Sequence, residues 1–466
     1  MSQYRRKFTL KLYPTAAQDA VLRDWLEQHR QLYNAALEER IDCYKKTGRT
    51  IGYNEQQNVL PQLKKDLPEL VPLGAHALQA TLKRLDLAMA SFFRRAKAGQ
   101  TPGFPRFKGK KRFDSFAFPD RDNWSLIELA GRAHVVRIGE MFIRARGMCR
   151  FPGYIPNDML VKRVGQGWEI SVTLRVHREA CRRERTHQGE VGFDQGLTER
   201  MVFDNGHALD NPRWLKEKLG VMEVLQRDKA RCKKGSRMHR KLRIAIARLH
   251  RSIANCRKDW LHKLSTQLVM ANALIATEEL AVANMVRTPK AKPELDSDGD
   301  ATGNYLPNGA AAKAGLNREL QSAGLGALLN MLSYKAEEAD SYLHISDTKR
   351  IKPTQRCACC GSIVKKHLDE RTHFCTTCGF ITGRDRNAAL VCLIDALCPG
   401  YWLQMDKALK GKGVTPSLGP HAASIKNKLL YAHSESVPAV GTTADTVQAG
   451  SSCKAPETPP SVCFAN

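Results

Sequence analysis

No stretch of about 18 uninterrupted apolar residues occurs in the 466-residue chain, so no segment reads as a membrane-spanning helix. The start, Met1-Ser2-Gln3-Tyr4-Arg5-Arg6-Lys7, lacks the apolar run of a secretory signal; a cytoplasmic protein with no membrane partner is expected. Acids are scarce, 47 Asp and Glu against 74 Lys and Arg, which leaves a formal net charge of +27. A chain so short of negative charge is not indifferent to polyanions. Nor is there any sign of export to an oxidising compartment. The 14 Cys are therefore expected as reduced thiols, and a tight cluster of them as a metal site. No internal repeat is visible. What is present, 42% hydrophobic residues over this length, suffices for two or three packed domains.

Lys7, Thr9 and Lys11 alternate with Phe8, Leu10 and Leu12, the pattern of a strand with one buried face. Thr15 and Gln18 can close a capping box, and Leu22, Trp25, Leu26, Tyr33, Leu37 and Ile41 recur at helical spacing behind it. With a second helix at about 75–95, this predicts a helical insertion over 15–98. It interrupts a β-rich module, 1–14 and 99–188, in which Gly165-Gln166-Gly167 joins two hairpin strands and 177–188 is a polar linker. Further strands are expected at 191–194, 201–203, 273–277 and 342–346. A helical hairpin broken at Lys233-Lys234-Gly235-Ser236 is expected over 214–264, a loop over 287–316, and helices at 317–340 and 387–397. Asp296-Ser297-Asp298-Gly299-Asp300 misses the calcium-loop pattern, because the glycine falls fourth and Pro307 stands where the twelfth-position Glu belongs. The remainder, 401–466, is expected as a tail whose Ala/Ser/Thr/Pro-rich end, 435–466, is disordered.

Cys357-Ala358-Cys359-Cys360-Gly361 and Cys375-Thr376-Thr377-Cys378-Gly379 form two Cys-x-x-Cys turns, each closed by Gly. Cys357, Cys360, Cys375 and Cys378 can surround one tetrahedral Zn²⁺, with Cys359 left over. A four-thiolate site has no open coordination position, so this zinc is structural.

Three acids sit at informative places: Asp194 at the end of one strand, Glu278 at the end of another, and Asp385 at the entrance of a short helix. Carboxylates on strand ends can converge on one point, and three of them suit hard Mg²⁺ or Mn²⁺. Their order along the chain is the layout of RNase H-like nucleases of the RuvC type. The expected class is thus α+β and multidomain. An RNase H-like (RuvC) mixed-sheet nuclease domain, 189–349 and 379–400, holds an inserted zinc ribbon, 350–378, behind an N-terminal β-barrel-like module carrying the helical insertion.

Gly192-Phe193-Asp194-Gln195-Gly196-Leu197, Glu278-Glu279-Leu280-Ala281-Val282-Ala283-Asn284-Met285, Pro353-Thr354-Gln355-Arg356-Cys357 and Arg384-Asp385-Arg386-Asn387-Ala388-Ala389 resemble, in order, the blocks of TnpB. These are the OrfB-type, transposon-encoded, RNA-guided nucleases regarded as ancestral to type V CRISPR effectors. The likeness runs from Arg5 to about Leu397 and includes the basic block Pro105-Arg106-Phe107-Lys108-Gly109-Lys110-Lys111. It implies that Asp194, Glu278 and Asp385 are the catalytic, magnesium-binding triad, that the four cysteines bind zinc, and that the partners are a guide RNA and a double-stranded DNA target. One position departs: the family commonly has a second Asp two residues before the last catalytic one, and here it is Gly383.

Two basic regions fit a nucleic-acid channel. Between Ser91 and Phe113 eight Lys or Arg occur without one acid, among them Arg106, Lys108, Lys110 and Lys111. The interleaved Phe104, Phe107 and Phe113 are expected to pack in a core. The hairpin 214–264 carries 16 Lys and Arg against 4 acids, including Arg237, Arg240, Lys241 and Arg243, and backbone contact with RNA or heteroduplex is expected there. The expected activity is RNA-guided, Mg²⁺-dependent cleavage of double-stranded DNA beside a short flanking motif. The alternatives are a miniature type V CRISPR effector with the same chemistry, a guided repressor that only binds, and an RNase H-like strand-transferring transposase. The ribbon between the second and third acids, and the lack of a recognisable separate helix-turn-helix domain, weigh against the transposase.

Overall fold

The computed structural model describes residues 3–129, 133–147, 154–297, 299–367, 369–411 and 414–434, so the expectation of disorder over 435–466 and Asp298 of the acidic run lie outside the described residues. The alternating opening segment forms the strand Gln3–Tyr13, with Phe8, Leu10 and Leu12 buried and Lys7, Thr9 and Lys11 exposed. It is the middle of a seven-stranded antiparallel sheet in the order Ser115–Phe118, Ile155–Val164, Gly167–His177, Gln3–Tyr13, Met141–Arg146, Ala133–Ile138, Trp124–Glu128. The two outermost strands each pair on one side only, so the ladder is open.

Between the first strand and the second run the helices Ala16–Thr47, Tyr53–Asp66 and Ala75–Lys97. Thr15 starts the first with the anticipated capping box: its hydroxyl accepts from the Gln18 N–H at 3.3 Å, and its own N–H donates to Gln18 Oε1 at 3.0 Å. Leu22, Trp25, Leu37, Leu78, Leu82 and Leu85 from these helices share one core with Phe113, Phe116 and Phe118 and with the sheet. The insertion is therefore packed onto the module it interrupts.

A second sheet has five strands in the order Ala208–Asp210, Glu199–Phe203, Gly189–Asp194, Asn272–Glu278, Tyr342–Ser346. Its first two junctions are antiparallel and its last two parallel. Parallel neighbours need crossovers. Helices Leu219–Arg231 and Arg237–Ala271 make one, and Ala310–Ala323 and Leu325–Glu338 the other. Leu261, Leu264, Leu268, Leu328 and Leu332 from the crossovers cover one face, against Phe193, Met201, Phe203 and Ile275. The helix Arg384–Leu397 covers the other.

Three local expectations are corrected. The stretch 287–316 is not all loop: it holds the hairpin Lys292–Leu295 with Ala301–Leu306, and the helix Ala310–Ala323 begins within it. The helix expected over 317–340 is two helices, broken at Gly324 with φ +66°, where Arg257 donates to the carbonyls of Gln321 and Ser322 at 3.0 and 3.2 Å and so caps the first. Within 401–434, expected as tail, Tyr401–Leu409 and Ala422–Ser434 are helical, and Trp402, Ile425 and Ala432 are buried in the core around the cysteines. Glu338, at the end of the helix Leu325–Glu338 and 2% exposed, ties that helix to the first strand through Arg6 Nε at 3.1 Å and to the segment joining the sheets through Arg183 Nε at 3.0 Å.

Candidate active site and metal centre

The strand Gly189–Asp194 is the central one of its sheet, and its parallel neighbour Asn272–Glu278 pairs Ile275 with Val191 and Ala276 with Gly192. Parallel pairing in that register carries Asp194 and Glu278 to the same sheet edge. The helix Arg384–Leu397 lies directly on the central strand: a Cβ on Gly192 would stand 2.3 Å from the carbonyl oxygen of Ala389 and 2.8 Å from Leu393 Cβ. A glycine is thus required for the approach that carries Asp385, in the first helical turn, to that edge. A carboxylate is also favoured there by the helix dipole.

Asp194 is 8% exposed and its Oδ1 has no hydrogen-bond partner. Burial, followed by the charges of Glu278 and Asp385, pushes its carboxyl well above the usual range, with the Gln195 N–H pulling the other way. Glu278 is pushed up to about 7, burial outweighing the lowering by its hydrogen bond with Asp194 and Asp385 adding to the rise. Both shifts favour the protonated form of these two carboxyl groups when no cation is bound. Asp385 is steered by Arg384 Nε at 3.0 Å and Arg371 Nη1 at 3.8 Å. The three acids do not all lie within 4.8 Å of one another; among the described residues two clusters do, the cysteine quartet and His76 with Asp120 and Asp122. With Asp194 buried and one of its oxygens unpartnered beside the half-buried Glu278 and Asp385, the three carboxylates form an environment that a hard divalent cation would satisfy.

Cys357, Cys360, Cys375 and Cys378 bring their sulfurs together, with 3.7 Å between Cys357 and Cys378 and 3.5 Å between Cys360 and Cys375. Cys359 is exposed and outside the cluster. Burial acts to raise Cys375, but the N–H groups of Cys378 and Thr377 outweigh it and bring the thiol to about 7, while burial pushes Cys378 up to about 12. Such a quartet suits a tetrahedral, thiolate-bound ion. It is tied to the Asp385 helix by Asn387, fully buried, whose Nδ2 donates to Arg356 O at 2.7 Å and whose Oδ1 accepts from Ala358 N at 3.1 Å. Arg356 is itself buried and paired with Asp406 at 2.8 Å.

Of the basic residues, Arg237, Arg240, Lys241 and Arg243 are all exposed on the helix Arg237–Ala271 and make no ion pair among the described residues. Arg106, Lys110 and Lys111 are exposed and Lys108 half-buried, its backbone held by Asn34 and Arg30. The aromatics divide. Phe113 is in the core as expected, but Phe104 and Phe107 are 45% and 53% exposed, because their loop crosses the helical insertion without entering its core.

Sequence reasoning missed three residues that fix the site. Asn387 stands inside a quoted block, two residues after Asp385. Asp395 accepts from His344 at 2.8 Å and Ser346 Oγ at 2.9 Å and docks the same helix on the edge strand. Asp204 is the third, the first residue of an Asp204-Asn205-Gly206 turn sequence. It accepts from the Gly192 N–H at 3.1 Å.

Three family models match in succession: a helix-turn-helix domain over 1–49, a probable transposase of the OrfB type over 170–288, and a Cas12f1-like TNB domain over 326–392. Over the first range the described residues form one strand and one 32-residue helix, so that match is a family likeness and not a helix-turn-helix arrangement. Two of the three models describe OrfB-type transposon proteins and the third a Cas12f1-like domain. Over these segments the chain is similar to the TnpB family. A Streptomyces pristinaespiralis protein provisionally named RNA-guided DNA endonuclease is 29% identical over 394 residues, 84% of this chain and 89% of the relative. InsQ of Escherichia coli K12, with the same provisional name, is 27% identical over 387 residues, 82% and 90% of the two chains. Among solved structures, a Cas12f1 in complex with guide RNA and target DNA aligns with a TM-score of 0.47 at 12% identity, covering 81% of this chain and 83% of that one. No single helix among the described residues is long and apolar enough to cross a membrane.

Proposed function

We propose that the chain is an RNA-guided endonuclease that cleaves double-stranded DNA beside a short flanking motif, with Asp194, Glu278 and Asp385 as its one hydrolytic site in a RuvC-type, RNase H-like domain. The observation that carries this reading is the gathering of the three acids from two strand ends and a helix start, with Asp194 buried and its Oδ1 unpartnered. The names of the relatives at 29% and 27% identity support the substrate and the guide. In the same reading the seven-stranded sheet is the barrel-like wedge module, the helices over 15–98 are the recognition insertion, and the four cysteines hold a structural Zn²⁺.

Asp194, Glu278 and Asp385 would hold Mg²⁺ or Mn²⁺. When bound, the metal supplies positive charge for the scissile phosphate and lowers the pKa of water to make a nucleophile. The chain's own groups do the rest. Asp194 and Glu278, both raised by burial, would hold positive charge in their ionised forms. Arg384 and Arg371 fix the direction of the Asp385 carboxylate. The exposed cations of the helix Arg237–Ala271 meet backbone phosphates and do not read bases.

The test is guide-loaded protein on a duplex carrying matched target and flanking motif. Cutting should require the guide and Mg²⁺, and Ca²⁺ should permit binding with little cutting. Equal cutting in EDTA, or without guide, would reject the proposal.

A further inference from the structure

We infer that Asp204 is a positioning residue for the carboxylate site and that Lys428, from the C-terminal helix Ala422–Ser434, holds it in its working state. The inference rests on the nuclease reading above. Asp204 is 2% exposed and stands just after the strand Glu199–Phe203. Its Oδ1 accepts from the Gly192 N–H at 3.1 Å, and its own N–H donates to the Gly192 carbonyl at 2.9 Å. Its carbonyl accepts from Arg386 Nε at 3.1 Å. Gly192 lies two residues before Asp194, and Arg386 directly follows Asp385. One buried side chain and its backbone therefore tie together the two segments that carry the first and last acids.

The remaining carboxylate oxygen, Oδ2, is paired with Lys428 Nζ, and among the described residues Lys428 is the ion-pair partner of Asp204. The same helix makes two more ties to the Asp385 segment. Tyr431 lies under the Arg386 guanidinium, 5.5 Å from ring centroid to carbon. His433 Nδ1 accepts from the Ile381 N–H at 3.2 Å, and the strand Ile381–Gly383 runs straight into Arg384 and Asp385. The turn after Asp204 is shaped to receive Arg386: Gly206 has φ +88°, and a Cβ there would lie 3.0 Å from the guanidinium carbon.

A buried carboxylate deprived of its cation turns toward water or draws water in. Either response loosens the Gly192–Asp204–Arg386 connection and shifts Asp194 relative to Asp385. Catalysis is steeply sensitive to such shifts, a misplacement of about 1 Å costing about 100-fold. The C-terminal helix is thus a brace for the active site, although it contributes no group to the chemistry.

The test uses the full-length, guide-loaded protein and Lys428→Met, which keeps the apolar stem and removes the charge. Single-turnover cutting should slow by about tenfold or more, and half-maximal cutting should need more Mg²⁺, with guide-directed target binding and zinc content unchanged. Lys428→Arg should restore the rate. In an Asp204→Asn background, Lys428→Met should cost little further, because no buried charge is left to strand. Native cutting by Lys428→Met overturns the inference. So does a loss of target binding or zinc in proportion to cutting, since that marks a merely structural role. Asp194→Ala in the same assay separates the two levels. If it still cuts, the reading of the site falls and the inference with it; if it is silent while Lys428→Met cuts normally, only the brace is wrong.

Discussion

Along Gly167–His177 of the seven-stranded sheet the inward residues are Trp168, Ile170, Val172, Leu174 and Val176, each at most 1% exposed. At the end of the central strand of the five-stranded sheet the buried residue is Asp194, with an unpartnered oxygen. Each region buries an ionisable group, but with opposite outcomes. His29, fully buried under the helical insertion, bonds Thr81 Oγ1 at 2.7 Å and stacks on Phe116, and burial, with the Arg84 charge, lowers it to about 3, so it stays neutral. Asp194 and Glu278 are raised by burial yet crowd a third acid, a conflict their neighbours do not resolve. The first arrangement is internally satisfied; the second leaves carboxylates in mutual repulsion, as the proposed metal site requires.

The comparison should break most severely at the cysteine quartet. Cys360→Ser should reduce zinc from about one per chain to nearly none and abolish the melting transition of that unit, whereas Cys359→Ser should change neither; metal analysis and calorimetry read both. Gly192→Ala should cost about 3 kcal/mol by overpacking against Ala389 and Leu393. On the other sheet Gly165→Ala has open space and a strain of only about 1–2 kcal/mol from its positive φ. Denaturant titration compares the two glycine variants.

The pH responses should have opposite signs. The folded pKa of His29, about 3, lies below its ordinary 6.5, so its contribution is complete above 6.5 and is lost as pH falls through that window. His29→Phe should flatten the acid-side loss. Glu278 is raised from 4.5 to about 7, so its contribution is present below 4.5 and is lost as pH rises through 7. Glu278→Gln should therefore stabilise metal-free protein at pH 8 by on the order of 2 kcal/mol and do little at pH 4.5, as measured by urea unfolding. The smallest effect on stability is expected at the exposed cations. Changing Arg237, Arg240, Lys241 and Arg243 to Ala should leave unfolding unchanged but lower the salt slope of RNA binding by roughly 0.7–0.9 per lost phosphate contact.

Local chemistry was readable in advance, because its causes lie within a few residues of each other. The Thr15–Gln18 capping box, the alternation of Phe8, Leu10 and Leu12, and the Cys-x-x-Cys turns all match the structure. The break at Gly324 was hidden by continuous helical periodicity on both sides, and the hairpin 292–306 by its Pro, Gly and Asp content. Asp204 illustrates the limit. Its partners Arg386 and Lys428 are 182 and 224 positions away, and no local pattern distinguishes a buried, paired aspartate from the first residue of a surface turn.

The central claim, that the acids brought together at the sheet edge cut DNA, is tested most directly by single-turnover cleavage with Asp194→Ala beside native protein, each loaded with guide and given Mg²⁺ and matched duplex. Cleavage should disappear while guide-directed binding stays near native, because base pairing and phosphate contacts lie elsewhere. Cleavage by Asp194→Ala at the native rate would contradict the claim.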